Sequence, residues 1–448
     1  MNTAAATALA KSVEGEVILP GDDAYEAHRD IFVHKGSPDV VVRCHGTEDV
    51  RQALSFARAE KLRVSVRSGG HSNAGLSTDD GGLVVDVSPL NGIDVIDAES
   101  GLVRIGPGAQ WGQAARTLQE HGLSFSSGDT AQVGVGGLLL GGGIGWTVRS
   151  SGLALDNLVA AEVVTADGRV LRASADENAD LFWGLRGGGG NFGVVTSFEV
   201  TARPLPRVHF GSITYPASEA ASVVKGWVRA MREAPEELTS HVQLFPSFGG
   251  DPAPVIVLVC YAGEDVAAAS AAIAPLLELG ALEGKDINLV AYPDVLDQAG
   301  ELPPDWEPMV RNRFVRECAD EFVDTLLAGA RSFDNLFVEL RSLGGALRRV
   351  PPNATAFAHR DAEVMVNTAK LGPRADHEAA LPEISAFWAT LDPFTDGAYS
   401  NFLSELDADD MAAVYPPETY ARLQAVKDAY DPDNVFSRNP NVRPSERT

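Results

Sequence analysis

The chain has 448 residues, 45% apolar and 22% charged, with 62 acidic against 36 basic side chains and a formal net charge of −26. This is the length and composition of a soluble globular protein with two domains or one large composite. The charge has the wrong sign for a protein that tracks nucleic-acid phosphates, and no apolar run approaches a membrane span.

Cys44, Cys260 and Cys318 lie far apart with no C-x-x-C spacing, so they give neither a zinc signature nor a disulfide framework. That usage fits a reducing compartment, and the expectation is a cytoplasmic monomer or homodimer that binds no metal, nucleic acid or membrane. The first residues, Met1 to Ala10, lack a basic region and a Leu-rich stretch, and Lys11, Glu14 and Glu16 follow at once. They read as the start of a helix rather than a signal peptide.

Thr47 is placed to cap a helix with Val50, Ala53, Leu54 and Ala57 on one face. A β-branched strand, Arg63–Val66, then runs into Arg67-Ser68-Gly69-Gly70-His71-Ser72. Gly69 and Gly70 permit positive φ and let a phosphate or flat ring approach the backbone, where amide N–H groups can meet an anion. His71 puts a nucleophilic ring nitrogen at the tip. Alone, the hexapeptide is equally an ordinary tight turn.

Further glycine-rich stretches argue for more. After a strand at Leu83–Val87, Gly106-Pro-Gly108 closes the strand Leu102–Ile105. The helix near Gln110–His121 carries Trp111, Ala114, Ala115 and Leu118 at helical spacing, with Gly122 to end it, and Trp111 reads as core. Gly128-Asp129-Thr130 begins a run through Gly134, Gly136 and Gly137 into Gly141–Gly145. Val163–Leu171 reads as a hairpin with Asp167-Gly168 as a type I′ pair. Gly187–Gly193 precedes the strand Val194–Val200. Glycine at several separated strand ends points to one large ligand approached closely by backbone. Gly188, Gly190 and Gly193 have dinucleotide-fingerprint spacing, but a strand follows where that fingerprint needs a helix, and no stretch carries a P-loop ending.

Past Arg203-Pro-Leu-Pro206, a domain boundary, strand candidates such as Val255–Val259 and Leu336–Leu340 alternate with Ala/Leu/Glu-rich helical stretches. Leu302–Asp305 and Val350–Asn353 read as loops, and the helix Tyr420–Tyr430 is stopped by Asp431-Pro-Asp-Asn434. The pattern suggests one cofactor domain and one substrate cap.

Several of these stretches together resemble the berberine-bridge-enzyme-like branch of the FAD-linked oxidases. They are Val64-Ser-Val-Arg-Ser-Gly-Gly-His-Ser72, Gly134-Val-Gly-Gly137 with Gly141–Gly143, Gly152-Leu-Ala-Leu-Asp-Asn157, Leu181 to Thr196, and Tyr430-Asp-Pro-Asp-Asn-Val-Phe436. The resemblance implies an α+β, two-domain FAD-binding fold of the vanillyl-alcohol-oxidase (PCMH) type. Residues 1–204 form the FAD domain (core about 36–204), residues 205–403 an antiparallel-sheet substrate cap, and residues 404–448 a segment returning to the FAD domain.

On this resemblance FAD is held by Arg67, Ser68, Gly69, Gly70, His71, Ser72, Gly128, Asp129, Thr130, Gly134, Gly136, Gly137, Gly142, Gly145, Val195, Asn439 and Asn441. His71 is the residue joined to the flavin. Many relatives add a cysteine link in a Gly-x-Cys-Pro motif, but here Thr130 stands in the cysteine's place. One covalent bond is therefore expected, as in the single-linked branch that includes 6-hydroxynicotine oxidase and mitomycin radical oxidase.

Substrate-side candidates are Tyr399 and Asn401, from a stretch similar to the family's Tyr-x-Asn-Tyr in which Phe402 replaces the last tyrosine. Tyr399 is the family's usual base, or else an interface tyrosine. Glu339 and Arg341 share one strand face. Turned to the flavin they orient a polar substrate; turned to solvent they are a charge pair. His359-Arg360 reads as structural. The expected activity is oxidation of a small amine, alcohol or reduced quinone, a secondary metabolite or antibiotic, with O2 giving H2O2. Rival readings are a dehydrogenase with another acceptor and a drug-sequestering binder.

Overall fold

A computed structural model describes residues 3–296, 303 and 305–446. The loop expected at 302–305 is described only at positions 303 and 305. Among the described residues three large sheets organise the chain, beside a two-stranded pairing of Leu123–Ser124 with Arg203–Pro204.

The first has four strands in the order Glu16–Ile18, Val40–Arg43, Leu83–Asp86, Val64–Arg67, the last three mutually parallel. Parallel pairing needs a crossover, and the helix Thr47–Glu60 supplies it. Val40, Val41, Val42, Val84 and Val85 are fully buried, because helix and chain cover both sheet faces. Thr47 is not the cap expected: Gly46 holds that position, and the Thr47 hydroxyl instead donates to Glu162 Oε1 at 2.8 Å, tying the helix to the second sheet.

That second sheet has five strands in the order Ile93–Asp97, Leu102–Ile105, Val194–Thr201, Leu158–Val164, Val170–Ser174, all antiparallel. Its hairpin turn differs from the type I′ expected, since Gly168 has φ +83° and Asp167 is not left-handed. The Gly168 N–H bonds Thr165 O at 2.9 Å, while the Asp167 carboxylate takes the Thr165 hydroxyl. This is a type I turn followed by a left-handed glycine. Trp111 is buried in the core, together with Leu139, Trp183 and Phe198.

The cap is a seven-stranded sheet in the order Gly284–Ala291, Arg207–Tyr215, Val255–Tyr261, Leu238–Leu244, Leu336–Ser342, Val364–Pro373, Trp306–Val315, antiparallel throughout. Helices Ala220–Glu233, Asp320–Ala330 and Arg374–Leu391 cover one face, where Trp227, Phe322 and Trp388 pack on Val338 and Leu340. The opposite face meets the first half: Cys260, Phe210 and Leu258 join the core around the second sheet.

The tail returns to that core as well. The helix Pro417–Tyr430 starts three residues before the expected Tyr420, with proline in its first turn, and Leu423, Val426 and Val442 pack beside Trp183. Lys427 Nζ, fully buried, donates to Asp431 Oδ2 at 2.7 Å, Asn191 O at 2.8 Å and Phe436 O at 3.0 Å. The Asp431 side chain in turn accepts the Val435 and Phe436 N–H groups. The Asp-Pro-Asp-Asn motif and the Gly-Gly-Asn191 stretch are thus two sides of one buried clasp.

Candidate active site

The turn after Val64–Arg67 and the loop beginning at Gly128 meet backbone to backbone. A Cβ on Gly69 would sit 2.3 Å from Gly134 N, and one on Gly134 2.2 Å from Gly69 N, so neither position accepts a side chain. The Ser68 hydroxyl locks the contact by donating to Pro107 O at 2.6 Å. Beside it opens a cleft of about 460 Å³.

His71 lines this cleft, with Phe32 stacked against its ring at 4.6 Å. Burial lowers the His71 pKa, which leaves the imidazole neutral with a free nitrogen lone pair at pH 7. Ser68, Gly69, Gly70, Ser72, Gly128, Asp129, Thr130, Gly134, Gly136, Gly137, Val195 and Asn439 line the same cleft, as do Tyr399 and Asn401.

Four expected FAD residues do not. Arg67 is buried in an ion pair with Asp86 at 3.2 Å. Gly142 and Gly145 pack under the cleft, against the Tyr399 ring and Ser127 O. Asn441 lies outside the lining, with its buried Oδ1 unpartnered among the described residues.

The walls suit a large flat cofactor. Cβ atoms added at Gly137 or Gly189 would meet nothing within 4 Å, so side chains there would enter the cleft. Val66, Val87, Val133 and Ile144 supply apolar surface, and Ser77 Oγ, buried and on the lining, has no partner among the described residues. No cysteine lines the cleft; all three are buried and free.

Tyr399 lines the cleft with its ring packed on Gly142. Its backbone is clamped by Asn312, whose Oδ1 accepts the Tyr399 N–H at 2.7 Å and whose Nδ2 donates to Tyr399 O at 2.9 Å. The phenol oxygen accepts from Gly143 N–H at 2.8 Å and from Asn401 Nδ2 at 2.9 Å. Burial pushes the phenol up to about 12 despite these two donors, so it stays protonated near neutrality.

Glu339 and Arg341 face the first half of the chain, not solvent. Arg341 Nη2 meets Asp129 Oδ2 at 2.6 Å, its Nε meets Glu339 Oε2 at 2.6 Å, and its guanidinium lies 4.9 Å over the Phe402 ring. Burial opposes the charge, but Asp129 and Glu339 outweigh burial and hold the guanidinium above its ordinary pKa. Gln243 Nε2 donates to Glu339 Oε1 at 3.0 Å. His241, stacked on Trp146 at 4.1 Å, is fully buried and held neutral by burial and by the Arg341 charge.

Sequence reasoning missed Phe32, which has no motif, and missed Gln243 and His241, whose strand Leu238–Leu244 it did not identify. Period-two alternation opposite Glu339 was the available signal. His359 and Arg360 lie off the cleft. His359 Nε2 bonds Val414 O, and Arg360 holds Asp156 bidentately at 2.7 and 2.8 Å. Among the described residues no group of His, Cys, Asp or Glu is placed to hold a metal, and no helix is long and apolar enough to cross a membrane.

Comparison with known proteins gives two family matches, an FAD binding domain over residues 38–174 and a berberine and berberine-like segment over 398–443. (R)-6-hydroxynicotine oxidase of Paenarthrobacter nicotinovorans is 34% identical over 453 residues, covering 97% of each chain. The crystal structure of 6-hydroxy-D-nicotine oxidase from Arthrobacter nicotinovorans superposes with a TM-score of 0.87 at 32% identity, covering 97% of this chain and 99% of that one. Glucooligosaccharide oxidase of Acremonium strictum, described with a 6-S-cysteinyl, 8α-N1-histidyl FAD, shares the fold at 22% identity and a TM-score of 0.87, covering 99% of this chain and all of that one.

Proposed function

This chain belongs to the berberine-bridge-enzyme-like FAD-linked oxidoreductases, with the PCMH-type FAD-binding fold, and from that premise we propose an oxidase that takes two electrons from a small amine. FAD, when bound, supplies the two-electron acceptor and returns the electrons to O2 as H2O2. The observation that carries the reading is the placement of His71: a neutral imidazole at the tip of a two-glycine turn, on the same cleft as the open faces of Gly137 and Gly189.

In this reading His71 holds the cofactor through one ring nitrogen. Thr130, on the same cleft, has no sulfur with which to add the second link described for the glucooligosaccharide oxidase. Gly69, Gly70, Gly136 and Gly137 give backbone approach, and Asn439 fixes the tail against Gly190 O.

The choice of donor follows from charge. Asp129 and Glu339 share one guanidinium, which leaves a net negative charge beside the cleft and favours a donor that arrives as a cation. The protonated Tyr399 phenol acts as a hydrogen-bond donor that orients the substrate nitrogen, its oxygen already saturated by Gly143 and Asn401. An amine donates hydride from its neutral form and needs no tyrosinate, whereas an alcohol needs a base for its hydroxyl proton.

The test is anaerobic flavin reduction by a panel of amines, alcohols and reduced quinone drugs, followed by reoxidation with air or with a dye. Fastest bleaching by amines and recovery in air support the proposal. Bleaching by quinols alone points to drug reoxidation, recovery only with dye to a dehydrogenase, and binding without bleaching to sequestration.

A further inference from the structure

A second concave site lies at the junction of the short helix Val148–Ser151 with the end of the cap strand Leu336–Ser342. It is a pocket of about 540 Å³ and shares no lining residue with the cleft. Four arginines line it (149, 232, 316 and 348) against three glutamates (236, 317 and 363), an excess of positive charge on a chain of net charge −26.

Most of these charges are already paired. Arg232 is paired with Glu363, Arg316 with Asp361 and Asp396, and Glu236 is taken by Arg349. Arg149 and Arg348 are different: among the described residues neither is in an ion pair, Glu236 acts on Arg149 only from beyond 4 Å, and Arg348 Nη2 donates to the backbone oxygen of Asp361 at 3.0 Å.

Arg149 is only 6% exposed. Two of its five N–H donors are used, by Leu343 O at 2.6 Å and Ala234 O at 3.0 Å, and its buried Nε has no partner among the described residues. A guanidinium withdrawn from water without an anion is costly, so such sites ordinarily hold one. Gly344, at φ +99°, places the chain between the two arginines. A Cβ there would lie 3.4 Å from Arg149 Nη1 and 3.9 Å from Arg348 Nε, so both guanidinium groups converge on the space above one glycine.

We propose that this pocket binds a phosphate group, free or carried by a small metabolite, between Arg149 and Arg348. Planar guanidinium groups match phosphate oxygens in pairs, and two converging forks without carboxylate partners make the complement of a single tetrahedral oxyanion. The site begins one residue past Arg341, at Ser342, where the strand that carries Glu339 and Arg341 ends, and it depends on neither the flavin nor the donor chemistry.

The experiment is isothermal titration of the flavin-loaded protein with inorganic phosphate and with glycerol 2-phosphate in a chloride background. Saturable binding at one site is expected, weakened at least about tenfold in Arg348→Ala, the scale of one charge-assisted contact. Arg348 is exposed, so that variant keeps its fold and its flavin spectrum. Arg149→Lys should also weaken binding. Arg116→Ala, which removes an exposed arginine outside the pocket, should leave it unchanged. Tighter binding of the ester identifies a phosphorylated metabolite as the ligand, and tighter binding of inorganic phosphate identifies the free ion. The proposal is overturned by absence of saturable binding, or by equal affinity in wild type and Arg348→Ala, which would leave Arg149 as a strut between the two halves of the chain.

Discussion

Arg341 on the cap sheet and Asp129 on the glycine-rich loop meet across the two halves of the chain, Nη2 to Oδ2 at 2.6 Å. The same guanidinium holds Glu339 on its own strand, so one cation is shared by two carboxylates. The contact ties the cap sheet to Asp129, which lines the cleft.

Removing the shared cation should therefore damage stability and turnover together. Arg341→Met leaves Glu339 buried without its partner, which costs about 3–5 kcal/mol in comparable buried pairs. Thermal melting should fall clearly, and anaerobic flavin reduction should slow. In Arg341→Met/Glu339→Gln the part of the loss due to Glu339 should be recovered, while Asp129 stays without its partner. A single variant that melts like wild type would show that the pair contributes nothing.

Flavin attachment is read directly in denatured protein. Wild type should keep yellow fluorescence on a denaturing gel, and His71→Ala should release its FAD on precipitation. Peptide mapping should put all flavin on the fragment containing His71. Flavin on a fragment from 123–149 would mean that the loop bearing Thr130 also bonds the ring.

Tyr399→Phe deletes the phenol oxygen held by Gly143 and Asn401 while keeping the ring's packing. With an amine donor the reduction rate should change within about threefold, because the tyrosine serves as a donor and not a base. A drop of roughly 10²-fold is the size expected of general-base loss and would restore the alcohol reading. The rate should rise with pH along the donor's own amine pKa. It should show no tyrosine step between pH 6 and 9, since burial holds Tyr399 up at about 12.

Two fully enclosed histidines predict acid sensitivity. Burial holds His241 and His359 below the ordinary value of 6.5. In acid the unfolded chain then carries more protons than the folded one, so folding stability rises with pH. It is complete above about pH 7 and is lost as pH falls below 6.5 toward the folded values, by up to about 1.4 kcal/mol per pH unit for each histidine. The melting temperature should drop between pH 7.5 and 5.5, and His241→Asn should flatten the drop. A pH-independent melting temperature would contradict this.

What the sequence disclosed followed from local chemistry. The turn at His71, the strands that feed glycine loops and the terminating Asp431 motif are legible because glycine, proline and β-branched residues constrain backbone over a few positions. What it withheld was long-range. Thr47 looked like a cap because its local spacing is right, and only the neighbouring strand shows that its hydroxyl serves Glu162. Which way Glu339 and Arg341 point depends on Asp129, some two hundred residues away in the chain. Arg67 sits in the most informative motif of the sequence yet turns away from the cleft to neutralise Asp86.

The most direct test of the whole account is one anaerobic-to-aerobic cycle on the purified flavoprotein with each of a set of small amines. The account predicts that the flavin absorbance bleaches without oxygen and returns on admission of air, with one H2O2 formed per flavin. A flavin that no amine bleaches, or that stays reduced in air and recovers only with an added dye, would contradict it.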